Sequence, residues 1–299
     1  MRGNRIVCIL MKKLFTFFFV LFCASCSKPL ERPLEKQGQR PLLLASIAPY
    51  QFLVERIAGP GFEVKSIAPS NANPHAFEPT SSQVAEMKRA SAWFRIGEPF
   101  EEKILPYLQQ IHTIYDLRTG IPLLGGSPAC SECSSDHFDR HIWMSPKLTG
   151  QQAAAVARLL SEQFPEQKAV FEKNLTILQG QLSILDIEIQ TLLEPVQDRL
   201  LLVSHPAFAY FCKDYGFEQL SVEFEGKDPR PRHLEEILKR AASEHAEIAL
   251  ALPQYSNKGA QLIAAKLSLN LHEIDPYSPD YFTTMRKLAR LIAAPPTDE

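Results

Sequence analysis

Short apolar runs alternate along the chain with segments whose apolar positions recur every three or four residues. Leu42-Leu43-Leu44-Ala45-Ser46-Ile47, bounded by Pro41 and Pro49, reads as a buried strand. Gln51 to Ala58 follows as a helix, stopped by Gly59-Pro60-Gly61. Val64 to Ile67 then reads as a strand, Ser81 to Ala90 as a helix, and Ala92 to Ile96 and Thr113 to Leu117 as two more strands. The middle of the chain is different: Thr149 to Glu194 holds hardly a strand candidate. There Leu175, Leu178, Leu182, Leu185 and Ile189 mark one face of a long helix, which Pro165 starts and Pro195 ends. Alternation then returns, with strands at 200–204, 220–222, 248–252 and 271–274, and helices at 206–215, 233–244, 258–267 and 280–293. Strand alternating with helix predicts parallel sheets flanked by helices. The expected fold class is therefore α/β with two lobes, residues 41–164 and 195–299, joined by a helix over 165–194.

The N-terminus does not fit this pattern. Lys12 and Lys13 precede the apolar run Leu14 to Phe22, and small residues follow, as in a secretory signal over residues 1–25. The run is shorter than the ~20 residues of a transmembrane helix. Ala24-Ser25-Cys26 resembles a bacterial lipobox, with Cys23 where that pattern has Leu, Val or Ile. That resemblance implies a lipid on Cys26 and a protein anchored at the periplasmic or cell surface; a plain cleaved signal is the alternative. Residues 26–40 are polar and aperiodic, as a tether should be.

Charge and cysteine content narrow the classes. The formal charge of −2 leaves no basic footprint for nucleic acid. Without residues 1–25, four cations are lost; 28 basic and 34 acidic side chains then give −6. Beyond Cys26, an exported chain holds Cys130, Cys133 and Cys212, so one thiol is left over, and Cys212 in an apolar run is the candidate. Cys130-x-x-Cys133, with Asp136 and His137 nearby, reads either as a loop disulfide or as an auxiliary zinc-loading loop; the disulfide is preferred.

Three histidines sit where such a fold presents ligands. His75 lies between a strand and the helix opening at Ser81, His141 just before the long helical region, and His205 directly after a strand. Asp275 follows the last strand. Open parallel sheets bind ligands at the carboxyl ends of their strands, and three imidazoles with one carboxylate satisfy four-coordinate Zn²⁺. Spacing alone is a weak signal here, since no compact motif such as His-Glu-x-x-His occurs.

Longer motifs sharpen it. Asn73-Pro74-His75-Ala76-Phe77-Glu78-Pro79-Thr80 resembles the D-P-H-x-F-E-P-T signature of the zinc and manganese solute receptors of ABC transporters. Arg140-His141-Ile142-Trp143-Met144-Ser145-Pro146 resembles that family's D-P-H-x-W-L-D-P. His205 to Phe211 resembles H-x-A-F-x-Y-F, Pro253-Gln254-Tyr255-Ser256 resembles P-Q-F-S, and Ile274-Asp275-Pro276-Tyr277 with Tyr281 resembles L-D-P-L…Y. The resemblance spans residues 42–292 in the right order. It implies that His75, His141, His205 and Asp275 ligate a metal between two lobes joined by a rigid helix, for delivery to a membrane permease.

Asn73, Arg140 and Ser145 replace acidic residues of those motifs, at positions expected to be turns or supports. Leu252 stands where a glutamate commonly precedes P-Q-F-S, and residues 125–139 form a short loop where zinc-specific members have a His-rich one. Glu78 is read as helix entry, with Thr80 or Ser81 as the cap, rather than as a ligand. The run from Glu225 to His233 is read as a solvated loop opening a helix; His112, His245 and His272 are read as structural or exposed.

A receptor without catalysis is the expected function. A periplasmic zinc hydrolase would need an open coordination position and a general base, and an adhesin with a vestigial site would not keep four ligands. Imidazoles favour zinc, while Mn²⁺ and Fe²⁺ are alternatives for a mixed imidazole–carboxylate site. Because the histidines must be neutral to bind, affinity is expected to weaken below about pH 6.

Overall fold

In a computed structural model of the chain, residues 40–108, 111, 113–125, 138–223 and 230–294 are described. The elements are β1 (Leu42–Ala45), α1 (Ala48–Ala58), β2 (Glu63–Ser66), α2 (Ser81–Met87), β3 (Ala92–Arg95), α3 (Pro99–Ile104), β4 (Ile114–Asp116), α4 (Pro146–Gln163) and α5 (Lys168–Leu193). They continue with β5 (Leu200–Val203), α6 (Ala209–Tyr215), β6 (Glu218–Ser221), α7 (Pro231–Ser243), β7 (Ile248–Ala251), α8 (Lys258–Leu267), β8 (Asn270–Glu273) and α9 (Tyr281–Ala293).

Two four-stranded parallel sheets result, ordered β2-β1-β3-β4 and β6-β5-β7-β8. Composition distinguishes their central strands from the flanking ones. Leu42–Ala45, Leu200–Val203 and Ile248–Ala251 are apolar throughout and fully buried, as strands covered on both faces must be. The edge strands Glu63–Ser66, Glu218–Ser221 and Asn270–Glu273 mix polar with apolar residues. In each sheet the order reverses beside the strand that comes first in sequence, β1 or β5, the place where such sheets open a crevice at the carboxyl ends.

The middle of the chain is helical, as its pattern predicts, but in two pieces. Proline 146 opens α4, and Pro165 begins a 3₁₀ turn over Pro165–Gln167 from which α5 starts at Lys168. The helix Pro99–Ile104 was not foreseen; six residues are too few for a periodic signal. Phe171, Leu178, Leu182, Leu185, Ile189 and Leu193 form the buried face of α5. That face packs on α1 and α4, and α5 also meets α9 of the second lobe. One apolar cluster runs from Leu42 and Trp93 through this helix to Leu201, Phe211 and Met285. No described helix is long and apolar enough to cross a membrane. Cys212 is a free, buried thiol, as expected for the leftover cysteine. Cys26, Cys130 and Cys133 lie outside the described residues, so lipidation and the disulfide have no structural description.

Leu178 is fully buried, whereas Ile184 on the same helix is 57% exposed. Leu178→Ala should cost about 2–5 kcal/mol of stability, and Ile184→Ala should stay within about 0.5 kcal/mol of the parent. Urea denaturation checks both; equal effects would contradict the packing of α5.

Candidate metal centre

Loops after the strands carry the site. His75 comes from the loop after β2, where Asn73 Oδ1 accepts the His75 backbone N–H at 2.9 Å. Asp139 and His141 precede α4, and Asp139 Oδ1 accepts the His141 backbone N–H at 2.8 Å. His205 stands two residues beyond β5, Glu223 two beyond β6, and Asp275 and Tyr277 just beyond β8. Short polar side chains thus fix two of these turns through bonds to the backbone two residues on.

Three histidines from this loop set converge. His75, His141 and His205 place one ring nitrogen each within 4.8 Å of one another. Nε2 of His205 is 3.3 Å from Nε2 of His75 and 3.4 Å from Nε2 of His141. Ligands about 2.05 Å from a tetrahedral Zn²⁺ stand about 3.3–3.4 Å apart, so both separations suit a shared ion.

Each imidazole is turned by a carboxylate. His75 Nδ1 lies 2.8 Å from Glu98 Oε2, His141 Nδ1 2.7 Å from Asp139 Oδ1, and His205 Nδ1 2.6 Å from Glu223 Oε1. An ionised carboxylate only accepts, so each Nδ1 carries the proton and each Nε2 presents its lone pair. Three lone pairs facing one another are electrostatically unfavourable, and a cation among them removes the conflict.

Burial strengthens that demand. His141 and His205 are 4% and 3% exposed, Glu98 is fully buried and Glu223 is 4% exposed. Desolvation first, then the charges of His141 and His75, holds the His205 pKa well below its ordinary value. For His75, burial pulls the pKa down, but the charge and hydrogen bond of Glu98 outweigh it and leave the pKa raised. Burial would push Glu98 up, yet the charge and hydrogen bond of His75, followed by His141 and Arg140, keep it below the usual carboxylate range.

Glycine 97 sets the turn that delivers Glu98. Its φ is +85°, and a Cβ there would stand 2.0 Å from the Arg118 guanidinium. Its carbonyl accepts from Arg140 Nε at 2.5 Å, so Arg140 braces this turn. Ser145 caps α4 by accepting from Leu148 N at 3.1 Å. The residues that depart from acidic motif positions therefore serve as turn and support groups.

Aromatic rings close the site on the second lobe. Tyr255 stacks on His205 with centroids 3.8 Å apart and planes 13° apart. The Tyr277 hydroxyl is 2.9 Å from His141 Nε2 and 2.8 Å from the Tyr255 hydroxyl.

The structure brings together three of the four expected ligands. The Asp275 carboxylate is not in the histidine group: its Oδ1 accepts from Gln254 Nε2 at 2.8 Å and from the Tyr277 backbone N–H at 2.9 Å. Gln254 Nε2 also donates to the Ser70 carbonyl at 2.9 Å, tying Asp275 to the loop that carries His75. Glu78 is exposed and paired with Lys103, and Thr80 caps α2 in a capping box with Gln83, as helix entry requires. Glu98, Asp139, Glu223 and the two tyrosine hydroxyls were missed from sequence. Only Asp139, two residues before His141, carried a local signal.

Residues 43–294 match the model of the family described as zinc-uptake complex component A, periplasmic. A protein of Chlamydia trachomatis serovar D, named as metal-binding, is 32% identical over 263 residues, covering 87% of this chain and 93% of its own length. The crystal structure of ZnuA superposes with a TM-score of 0.79 at 30% identity, over 85% of this chain and 98% of that one. FpvC of Pseudomonas aeruginosa, solved in complex with Mn²⁺, shares the fold with a TM-score of 0.76 at 19% identity, over 85% and 97% of the two chains.

The carboxylates on Nδ1 give a direct test. Glu223→Gln, which keeps the shape but not the charge, should weaken zinc affinity about 10–100-fold. Competitive titration against a chelating dye measures it; an unchanged Kd would mean His205 is oriented by packing alone.

Proposed function

The chain belongs to the family of periplasmic zinc-uptake component A proteins, and from that premise we propose that it captures Zn²⁺ between its lobes for an ABC importer. The observation that carries this reading is the convergence of three Nε2 atoms, each fixed by a carboxylate on the opposite ring nitrogen. His75, His141 and His205 are the proposed ligands. Asp275 is the proposed fourth donor, reached when its carboxylate leaves Gln254. Zinc is preferred over Mn²⁺ and Fe²⁺ because imidazole-rich sites bind it more tightly along the divalent series. Delivery to a membrane permease, export and a lipid anchor on Cys26 complete the reading; family membership supports the first two and the lipobox the third.

Binding fits the chemistry better than hydrolysis. A catalytic zinc site needs an activated water and a free general base. Here Glu98, Asp139 and Glu223 are each engaged on a histidine Nδ1. Elemental analysis and competition among zinc, manganese and iron test the proposal. The parent should hold one tightly bound zinc ion, and His205→Ala should lose more than the roughly 100-fold that removing an outer partner costs. Equal binding by the variant would overturn it.

Acid should release the metal, and the order follows from the two shifts. The His75 pKa is raised and the His205 pKa lowered, so of these two His75 is protonated first as pH falls. A protonated Nε2 has no lone pair to give, so zinc affinity should begin to fall above the ordinary histidine pKa of about 6.5. His75→Ala should bind more weakly but with the onset of that loss moved to lower pH. Titrations between pH 5 and 8 check it; a flat profile in the parent would contradict the histidine site.

A further inference from the structure

The ligand residues do not explain why a tyrosine hydroxyl sits against His141. Its Nδ1 proton is committed to Asp139 at 2.7 Å, so Nε2 is an acceptor, and the hydroxyl 2.9 Å away is Tyr277. The single Tyr277 proton is therefore donated to His141. The Tyr255 hydroxyl, 2.8 Å away, then donates to the Tyr277 oxygen. A directed chain runs from Tyr255 through Tyr277 and His141 to Asp139.

We propose that Tyr277 is a latch that competes with the metal for the His141 lone pair and so sets how fast and how tightly this receptor captures its ion. The proposal rests on the metal-capture reading above and adds a specificity-determining residue to it. An imidazole nitrogen has one in-plane lone pair. A metal about 2.0–2.1 Å from Nε2 needs that same lone pair, so ion and hydroxyl exclude each other there.

The latch is held from both sides. Tyr277 is 1% exposed and lies 5.5 Å, ring to ring, from Trp143, whose Nε1 donates to the Pro276 carbonyl at 2.8 Å. Tyr255 is fixed by its stack on His205 at 3.8 Å. Tyr255, the donor to the Tyr277 oxygen, is thus itself packed on a second proposed ligand. Tyr277 and Tyr255 also stand where the motifs quoted above have Leu and Phe, residues that carry no hydroxyl.

The test is stopped-flow zinc binding to the full chain, followed by Trp143 fluorescence, for the parent, Tyr277→Phe, Tyr277→Leu and His205→Ala. A buried neutral hydrogen bond has a modest net value, so Tyr277→Phe should tighten zinc binding about two- to tenfold. The gain should lie in association, with dissociation unchanged, a split that general loosening of the fold would not produce. Before zinc is added, the His141 Nε2 resonance of ¹⁵N-histidine-labelled protein should shift in the variant. Tyr277→Leu should behave like Tyr277→Phe, and it serves if the phenylalanine variant folds poorly. Weaker binding with faster dissociation would make the Tyr277 oxygen a ligand and overturn the latch; unchanged rates would overturn it too. If the parent binds no zinc, or His205→Ala binds as the parent does, the receptor reading itself fails.

Discussion

The hydrogen bonds from three histidine Nδ1 atoms to three carboxylates govern the rest of the site. An imidazole alone has two tautomers and a free ring rotation, and either freedom would scatter the donor atoms. Glu98, Asp139 and Glu223 remove both, at separations of 2.6–2.8 Å. Burial makes the arrangement demanding, because a carboxylate with no exposure is stable only beside a proton donor or a cation. Glu98 is the extreme case: its Oε2 faces His75, while its Oε1 is buried without a hydrogen-bond partner. A divalent ion held by Nε2 polarises the ring and strengthens the Nδ1–H donor, so the carboxylates gain most when the metal is bound.

The fold makes this convergence available by ending all eight strands at the same kind of place. His75 and Glu98 come from loops of the first sheet, and His205, Glu223, Tyr255 and Tyr277 from loops of the second. Asp139 and His141 lie between the sheets, anchored to α4 by Ser145 and to α9 by the Tyr281 hydroxyl, which donates to the Trp143 carbonyl at 2.8 Å. Helix α5 lies within an apolar cluster that holds residues of both sheets, among them Leu42, Trp93, Leu201 and Leu250. His75, with 22% of its side chain exposed, is the most exposed of the three proposed histidine ligands.

Legibility from sequence followed the range of the forces involved. Strands announced themselves because burial on both faces demands unbroken apolar runs such as Leu200–Val203 and Ile248–Ala251. The long helix was visible in the three-and-four spacing from Leu175 to Ile189, though not the 3₁₀ turn at Pro165–Gln167 that delays its start. Histidines were legible through their motifs and their places after strands. Their carboxylates were not, because Glu98 is 23 residues from His75 and Glu223 is 18 from His205, distances that only the sheet order closes. Asp275 shows the opposite limit. Its motif marks it as a ligand, but the backbone N–H two residues on and Gln254 both compete for the same oxygen.

That competition and the one at His141 have a common logic. On the proposed reading, a site built only of free lone pairs would bind its ion more tightly than one whose donors have alternative partners. Here Gln254 offers Asp275 an alternative partner, and Tyr277 offers one to His141. The Tyr277 bond is neutral and the Gln254 bond ends on a carboxylate; each is weak beside a metal bond but enough to favour the metal-free state by a small factor. Gln254 also donates to the Ser70 carbonyl, and Tyr277 also meets Tyr255, so each substitute is held by a second partner. On the proposed reading these partners stabilise the metal-free state, while the carboxylate-bound histidines keep their orientation for capture.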